Sequence, residues 1–274
     1  MTLNALLDLC TDSQRLFILT GAGCSTGSGI PDYRDTDGRW KHRQPMTYQE
    51  FVKTPLARQR YWARSLVGWR RIADAEPGKP HQALARLEAA GRVRLLVTQN
   101  VDRLHAQAGS RRTVDLHGRL DRVECLECKT VYRREAFQDE MARLNPGWAD
   151  AQATVAPDGD AHLARDDYES FQVPECPHCG GVLKPAVVFF GERVPKRRVE
   201  QAFKALDEAD AVLVVGSSLM VFSGYRFARG AVERGLPLAV VNRGTTRADD
   251  ELTLKVEDDC GDVLTALADR VETS

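Results

Sequence analysis

The sequence predicts an α/β protein, a doubly wound parallel sheet interrupted by two insertions, on three observations. Short apolar runs rich in Val, Ile and Leu recur at 16–20, 93–98, 211–215 and 238–241, each flanked by Gly, Pro or polar residues. Runs of that length and type are strands buried on both faces of a parallel sheet. Helix-compatible segments at 81–90, 199–209 and 225–234 lie between them, as right-handed crossovers require. The 274 residues suffice for one large core plus a small satellite, and two equal domains fit them less well.

The first strand, 16–20, opens into Gly21-Ala22-Gly23-Cys24-Ser25-Thr26-Gly27-Ser28-Gly29-Ile30-Pro31-Asp32-Tyr33-Arg34. Glycines after a strand let backbone N–H groups approach an anion closely, so the turn suggests a pyrophosphate cradle. Its G-x-G-x-x-x-G spacing departs from the usual dinucleotide fingerprint, and Pro31 fixes φ and removes a donor. Asp32, Tyr33 and Arg34 therefore fall on an irregular segment where a hydride-transfer enzyme has a helix. The next stretch, about 40–80, is rich in Trp, Arg, Tyr and Gln and reads as two helices, 48–52 and 56–72, packed beside the sheet.

The strand at 93–98 ends in Gln99-Asn100-Val101-Asp102-Arg103-Leu104-His105, and a weaker edge strand at 113–116 ends in His117-Gly118. Polar side chains at the carboxyl ends of parallel strands face the crevice where such sheets bind ligands. Two amides and a carboxylate can read a carboxamide and a ribose hydroxyl. An imidazole is the side chain best matched to accepting a proton near neutral pH, which makes His117 the candidate general base. A further weak edge strand is expected at 252–256.

From 120 to 184 the alternation stops. Cys125-Leu126-Glu127-Cys128 and Cys176-Pro177-His178-Cys179 form two knuckles whose four thiolates suit tetrahedral Zn²⁺ with no open position, hence a structural zinc-ribbon module. The polar stretch 145–170 reads as a loop inserted on that module. His178 is expected to face solvent, Cys10 to be core, and Cys24 to sit in the cradle. The Rossmann-like sheet domain then comprises 1–40, 81–119 and 185–274, with 41–80 and 120–184 together forming the small domain.

Lys+Arg number 38 against 39 Asp+Glu, a net charge of -1, so no global basic field draws the chain to nucleic acid or anionic lipid. Neither a basic leader nor a run of about 20 apolar residues occurs, so a cytoplasmic protein without a membrane partner is expected, a monomer being favoured.

The glycine loop through Arg34, Thr98–His105, Leu116-His117-Gly118, the cysteine pairs, Lys184-Pro185-Ala186-Val187-Val188-Phe189-Phe190-Gly191-Glu192 and Gly216-Ser217-Ser218-Leu219 together resemble the sirtuins. Tyr33, Tyr61-Trp62-Ala63-Arg64 and Ser218–Tyr225 resemble class II members most, the branch with the mitochondrial lipoamidase-like protein. The resemblance implies NAD-dependent removal of acyl groups from lysine, with Zn²⁺ in the small module and an acyl-lysine protein or peptide as partner. It implies that Gly21, Ala22, Gly23 and Ser25 hold the pyrophosphate, that Asp32 and Arg34 shape a flexible loop, and that Tyr33 covers the ribose. Ile30, Asn100 and Asp102 are implied for the carboxamide, with Asn100 and Asp102 counted with His117 as catalytic, and Gln99 for the ribose. Gly216, Ser217, Ser218, Asn242, Arg243, Gly244 and Cys260 are implied for phosphate, adenosine ribose and adenine. A substrate peptide is expected to add as a strand between Val188–Glu192 and the 220–224 loop, with Val188, Phe190, Gly191, Glu192 and Val221 as contacts. Tyr61 and Arg64, three apart on one helix face, are the candidates for reading an acidic, glutaryl-type acyl chain. The rival readings are ADP-ribosyl transfer at the same site, a zinc-ribbon interaction or DNA-binding module on an inert nucleotide fold, and a conventional dehydrogenase.

Overall fold

A computed structural model describes residues 2–41, 44–148, 153–155, 161–163 and 167–273; the rest of the expected insertion, within 145–170, lies outside the described residues. An N-terminal helix, α1 (Thr2–Asp12), leads into β1 (Leu16–Thr20), which gives way to two 3-10 turns, Ala22–Cys24 and Thr26–Ser28. Helices α2 (Tyr48–Lys53), α3 (Pro55–Ala73) and α4 (Lys79–Ala89) precede β2 (Val93–Thr98). The short α5 (Leu104–Gln107) and β3 (Thr113–Asp115) follow. Next come β4 (Gly118–Cys125), β5 (Val131–Arg133), α6 (Arg134–Leu144), β6 (Ala153–Val155), β7 (Ala161–Leu163) and β8 (Leu183–Val187). The chain then returns to α/β alternation with α7 (Lys196–Asp207), β9 (Ala211–Val215), α8 (Phe222–Glu233), β10 (Leu238–Val241), β11 (Leu254–Val256) and α9 (Cys260–Glu272).

The main sheet has six strands in the order β11-β10-β9-β1-β2-β3, and every pairing is parallel, as the apolar runs predict. One face is covered by α1, α4 and α9 through a core including Leu6, Cys10, Leu84 and Leu264; the other by α7 and α8 through Leu206, Phe227 and Ala231. Strand order reverses between β1 and β9, so their carboxyl ends splay into a crevice. Cys24 is buried in the first of these cores, its thiol directed at the Val215 carbonyl (3.5 Å), and not in the cradle lining as expected.

A separate core joins the helical insertion to the cysteine-bearing segment. Phe51, Trp62 and Leu66 of α2 and α3 pack with Val123, Phe137, Met141, Leu183 and Phe189. The Arg134 guanidinium lies 5.4 Å from the Trp62 ring and 5.1 Å from Trp69, and donates to the Ser65 carbonyl and hydroxyl (both 3.2 Å). Burial pulls this cation down to about 9, still protonated at neutral pH, so ring faces and hydrogen bonds replace the water it has lost. Helix α6 was not anticipated: its polar sequence, Arg134-Glu135-Ala136-Phe137-Gln138, shows the core only Arg134, Phe137 and Met141.

Candidate active site

At the carboxyl ends of β1, β2 and β9 lies a cavity of about 640 Å³. Its first wall is the glycine loop. Gly216 has φ +60, and a Cβ on it would lie 2.4 Å from the Cys24 nitrogen. Added Cβ atoms on Gly21 and Gly23 would come within 2.8 Å of the Gly216 loop. The loops after β1 and β9 thus meet at backbone distance, which only glycine allows. The expected cradle is corrected here. The N–H groups of Gly21 and Gly23 donate to the Val215 (3.0 Å) and Gly216 (2.9 Å) carbonyls, and those of Cys24 and Ser25 to Gly21 and Ala22 (both 3.0 Å). Those four donors are engaged by protein, whereas no hydrogen bond from the Ala22 N–H to a loop partner is seen among the described residues.

Beneath the loop is a buried polar cluster. Ser25 Oγ donates to Asp102 Oδ2 (2.7 Å), the Leu104 N–H donates to Asp102 Oδ1 (2.9 Å), and Asn100 Nδ2 donates to Ser25 Oγ and the Gly21 carbonyl (both 3.0 Å). Each Asp102 oxygen keeps a further lone pair for an amide donor. His81 accepts at Nδ1 from the Gly78 N–H (3.1 Å), so its Nε2–H faces Ser25 Oγ (3.3 Å). Burial lowers the pKa of His81 and takes that of His105, packed against it at 4.8 Å, well below the ordinary value. Both rings are neutral at neutral pH.

His117 sits between β3 and β4. Its Nδ1–H donates to the Gln99 carbonyl (3.0 Å), which leaves the Nε2 lone pair towards the cleft, 2.7 Å from Ser223 Oγ. Burial, aided by the Arg198 and Arg226 charges and opposed by the Gln99 hydrogen bond, pushes the imidazole down to about 4. The ring is therefore neutral at neutral pH, with its proton on Nδ1. Gln99 Nε2 donates to Ser217 Oγ (2.8 Å), tying the ends of β2 and β9.

Over the cleft, Tyr33, Trp40 and Phe190 form an edge-to-face trio with centroids 5.6 to 6.4 Å apart. Arg34 stacks 4.1 Å from the Trp40 ring and donates to the Gly38 carbonyl (2.6 Å), while Asp32 pairs with Lys41 (2.5 Å), so both shape the segment that Pro31 begins. On the opposite lip, the Lys184 ammonium reaches the Val187 carbonyl (2.5 Å) and Glu192 (3.3 Å), and Glu192 also accepts from the Phe189 N–H (3.0 Å). The Val188 N–H is taken by the His117 carbonyl (2.7 Å) and the Phe190 carbonyl by the Tyr48 N–H (2.9 Å), so this extended segment is already partly paired. Val221 faces it as the N-cap of α8, and Phe222–Gly224 belong to that helix and not to a loop.

Most of the residues singled out from sequence line this one cavity: Ile30, Asp32, Tyr33, Arg34, Tyr61, Gln99, Asn100, Asp102, His117, Val188, Phe190, Gly191, Glu192, Ser217, Ser218, Val221, Asn242 and Arg243, with the glycine loop. Three do not. Gly244 packs on Thr36, Cys260 points at the Val241 carbonyl (3.7 Å), and Arg64 donates through Nε to the Ala161 carbonyl of β7 (2.9 Å). Sequence reading missed Trp40, Ser223 and Arg226, which also line it. A cue existed for Trp40, an aromatic closing a turn begun at Pro31; nothing local marks the other two.

The four cysteines 125, 128, 176 and 179 place their sulfurs within 4.8 Å of one another, with Cys125–Cys179 at 3.5 Å and Cys128–Cys176 at 3.7 Å. A tetrahedron with Zn–S of about 2.3 Å has S–S edges of about 3.8 Å, so the set fits zinc with all positions filled by protein. His178 is exposed, as expected.

The parallel sheet thus carries a crevice at its strand ends lined by an acid-amide pocket, and the inserted segment carries a four-thiolate cluster that fits zinc. The model of the Sir2 family matches residues 21–223, and the chain belongs to that family. It is 59% identical over 263 residues to an NAD-dependent protein deacetylase of Xanthomonas campestris pv. campestris, spanning 96% of this chain and 90% of that protein. It is 57% identical over 262 residues to one of Bordetella bronchiseptica, spanning 96% of each. Solved structures similar to it include a Sir2–p53 peptide–NAD+ complex (TM-score 0.79, 30% identity, all of both chains). A Sir2 homolog–NAD complex is also similar (TM-score 0.76, 30% identity, 98% of this chain and 94% of that one).

Proposed function

We propose that this chain is an NAD-dependent protein deacylase that takes acyl groups from lysine and releases nicotinamide. The observation that carries the reading is the convergence, in one cavity of a Sir2-family chain, of a neutral imidazole lone pair with a buried carboxylate that still has room for an amide donor. When bound, NAD would supply a ribosyl carbon that the acyl carbonyl oxygen attacks as neutral nicotinamide leaves; passage of the acyl group to the sugar hydroxyl would then release the lysine amine, with one water taken up. Asp102, held by Ser25 and Leu104, accepts from the carboxamide, Asn100 completes that pocket, and Ile30 gives it an apolar wall. His117 accepts the proton of a ribose hydroxyl at Nε2 while the Gln99 carbonyl keeps Nδ1 protonated, so the freed oxygen can take the acyl group. The Ala22 N–H, Ser217 and Ser218 serve the phosphates and ribose, and Asn242 and Arg243 the adenosine end. Tyr33, Trp40 and Phe190 exclude water from the sugar once nicotinamide has gone.

The acyl-lysine peptide lies along Val188–Glu192, opposite Val221, in strand-like pairing that carries little sequence preference. Zn²⁺ on the four cysteines holds the lobe that presents this segment. Tyr61 reaches the cleft and Arg64 does not, so the reading favours acetyl over glutaryl chains and withdraws the carboxylate-reading role from Arg64. A panel of acetyl-, butyryl- and glutaryl-lysine peptides with NAD, followed by nicotinamide release, checks this. Acetyl peptide should lead, and Arg64→Ala should leave the ranking unchanged; a glutaryl preference that disappears in Arg64→Ala restores the discarded role.

A further inference from the structure

The ring of His117 is gripped at both nitrogens, and the second grip has no part in the reaction described above. The Gln99 carbonyl can only accept, so Nδ1 carries the proton and Nε2 is the lone pair. Ser223 Oγ, 2.7 Å from Nε2, must therefore donate to it. That is the hydroxyl's one side-chain hydrogen bond among the described residues. The first turn of α8 is fixed against the same residue that grips Nδ1: a Cβ on Gly224 would lie 2.6 Å from Gln99 Oε1. Gln99, His117 and Ser223 thus form a closed frame made from the ends of β2, β3 and α8.

We propose that Ser223 is a positioning residue for the base: in the free enzyme its hydroxyl occupies, as donor, the place on Nε2 that a sugar hydroxyl of the dinucleotide takes over. The inference rests on His117 being the base. An internal donor presets ring angle and tautomer before substrate arrives, so less has to be ordered on binding. It also favours the neutral imidazole, since a hydrogen bond donated to the lone pair is lost on protonation. Two cations face the same ring. Arg198 of α7, donating to the Leu116 carbonyl (3.3 Å), and Arg226 of α8, whose buried Nε has no partner among the described residues, both oppose the imidazolium. Ser223 differs from them in being displaced by substrate, and that difference is measurable.

The test is the pH dependence of kcat/KM for NAD, which reports the free enzyme, against that of kcat, which reports the bound one, in wild type, Ser223→Ala and Ser223→Thr. With alanine the acid limb of kcat/KM should rise by about 0.5–1 pH unit while that of kcat stays in place. Threonine, which keeps the hydroxyl, should retain the wild-type limb. The same rise should appear when the His117 ring is titrated directly by NMR in protein without nucleotide, a readout that needs no turnover. An unmoved limb in alanine, an equal movement in both parameters, or a threonine chain that follows alanine overturns the proposal. If the alanine chain fails to fold, Ser223→Cys, a weaker donor, must move the ring titration in the same direction, and a wild-type titration in that chain overturns the proposal equally. Full turnover in His117→Gln would instead overturn the assignment of the base itself.

Discussion

His117→Ala is expected to lower acyl transfer by about 10²–10⁴-fold while leaving NAD affinity within a factor of about three, because a positioned general base contributes that much to rate and little to binding. The reasoning is local. His117 contacts the Gln99 carbonyl and Ser223, and neither the Asp102 cluster nor the glycine loop depends on its side chain. Removing it takes away a neutral lone pair in the cleft whose ring holds its proton on the far side. Burial has already driven the imidazole to about 4, so the base is available throughout the neutral range and is lost only as the pH falls towards that value. Titrating NAD binding by calorimetry and product formation by chromatography separates the two effects. A parallel loss of affinity and rate would mean that the ring shapes the pocket and does not act on a proton.

Loss of the metal should be the larger effect on the fold. Cys125 and Cys176 belong to the small-lobe core with Trp62, Phe137 and Phe189, so the knuckles are continuous with the packing that supports α3 and the 188–192 segment. Structural Zn²⁺ contributes about 10–16 kcal/mol of apparent binding free energy in zinc-finger peptides, more than the core of a small lobe supplies. Cys125→Ser, or a strong chelator, is expected to melt that lobe as a separate, lower-temperature transition and to abolish deacylation. The parallel sheet has its own two cores, so its transition and much of its nucleotide binding should persist. Calorimetric scans with and without chelator decide it: one unchanged transition with unchanged activity would remove the structural role of the metal.

The parts of this molecule legible in its sequence are those in which chemistry and backbone are written in adjacent residues. Val212-Leu213-Val214-Val215 is apolar throughout because both faces of β9 are covered, and Cys125/Cys128 with Cys176/Cys179 are paired because two-residue knuckles aim both sulfurs at one ion. Asp102 and Asn100 could be read because they end a strand. Four things were hidden. The glycines looked like anion donors, yet Gly21 and Gly23 are required by contact with Gly216, almost two hundred residues away, and their N–H groups face that loop. Arg64 shares a helix face with Tyr61, but a carbonyl of β7 captures its guanidinium, and no local pattern announces that partner. Ser223 acquires a role only when α8 brings it to His117, and α6 shows the core only Arg134, Phe137 and Met141, whereas α9 buries Val263, Leu264, Leu267, Ala268 and Val271 at a helical spacing that the sequence does display.

One measurement bears most directly on the account: a mass balance on purified protein incubated with NAD and an acetyl-lysine peptide. The prediction is one nicotinamide, one free-lysine peptide and one acetylated ADP-ribose for each NAD consumed, with none of the three formed when peptide is omitted. Nicotinamide release without acyl loss, with protein or peptide gaining the mass of ADP-ribose, would contradict it.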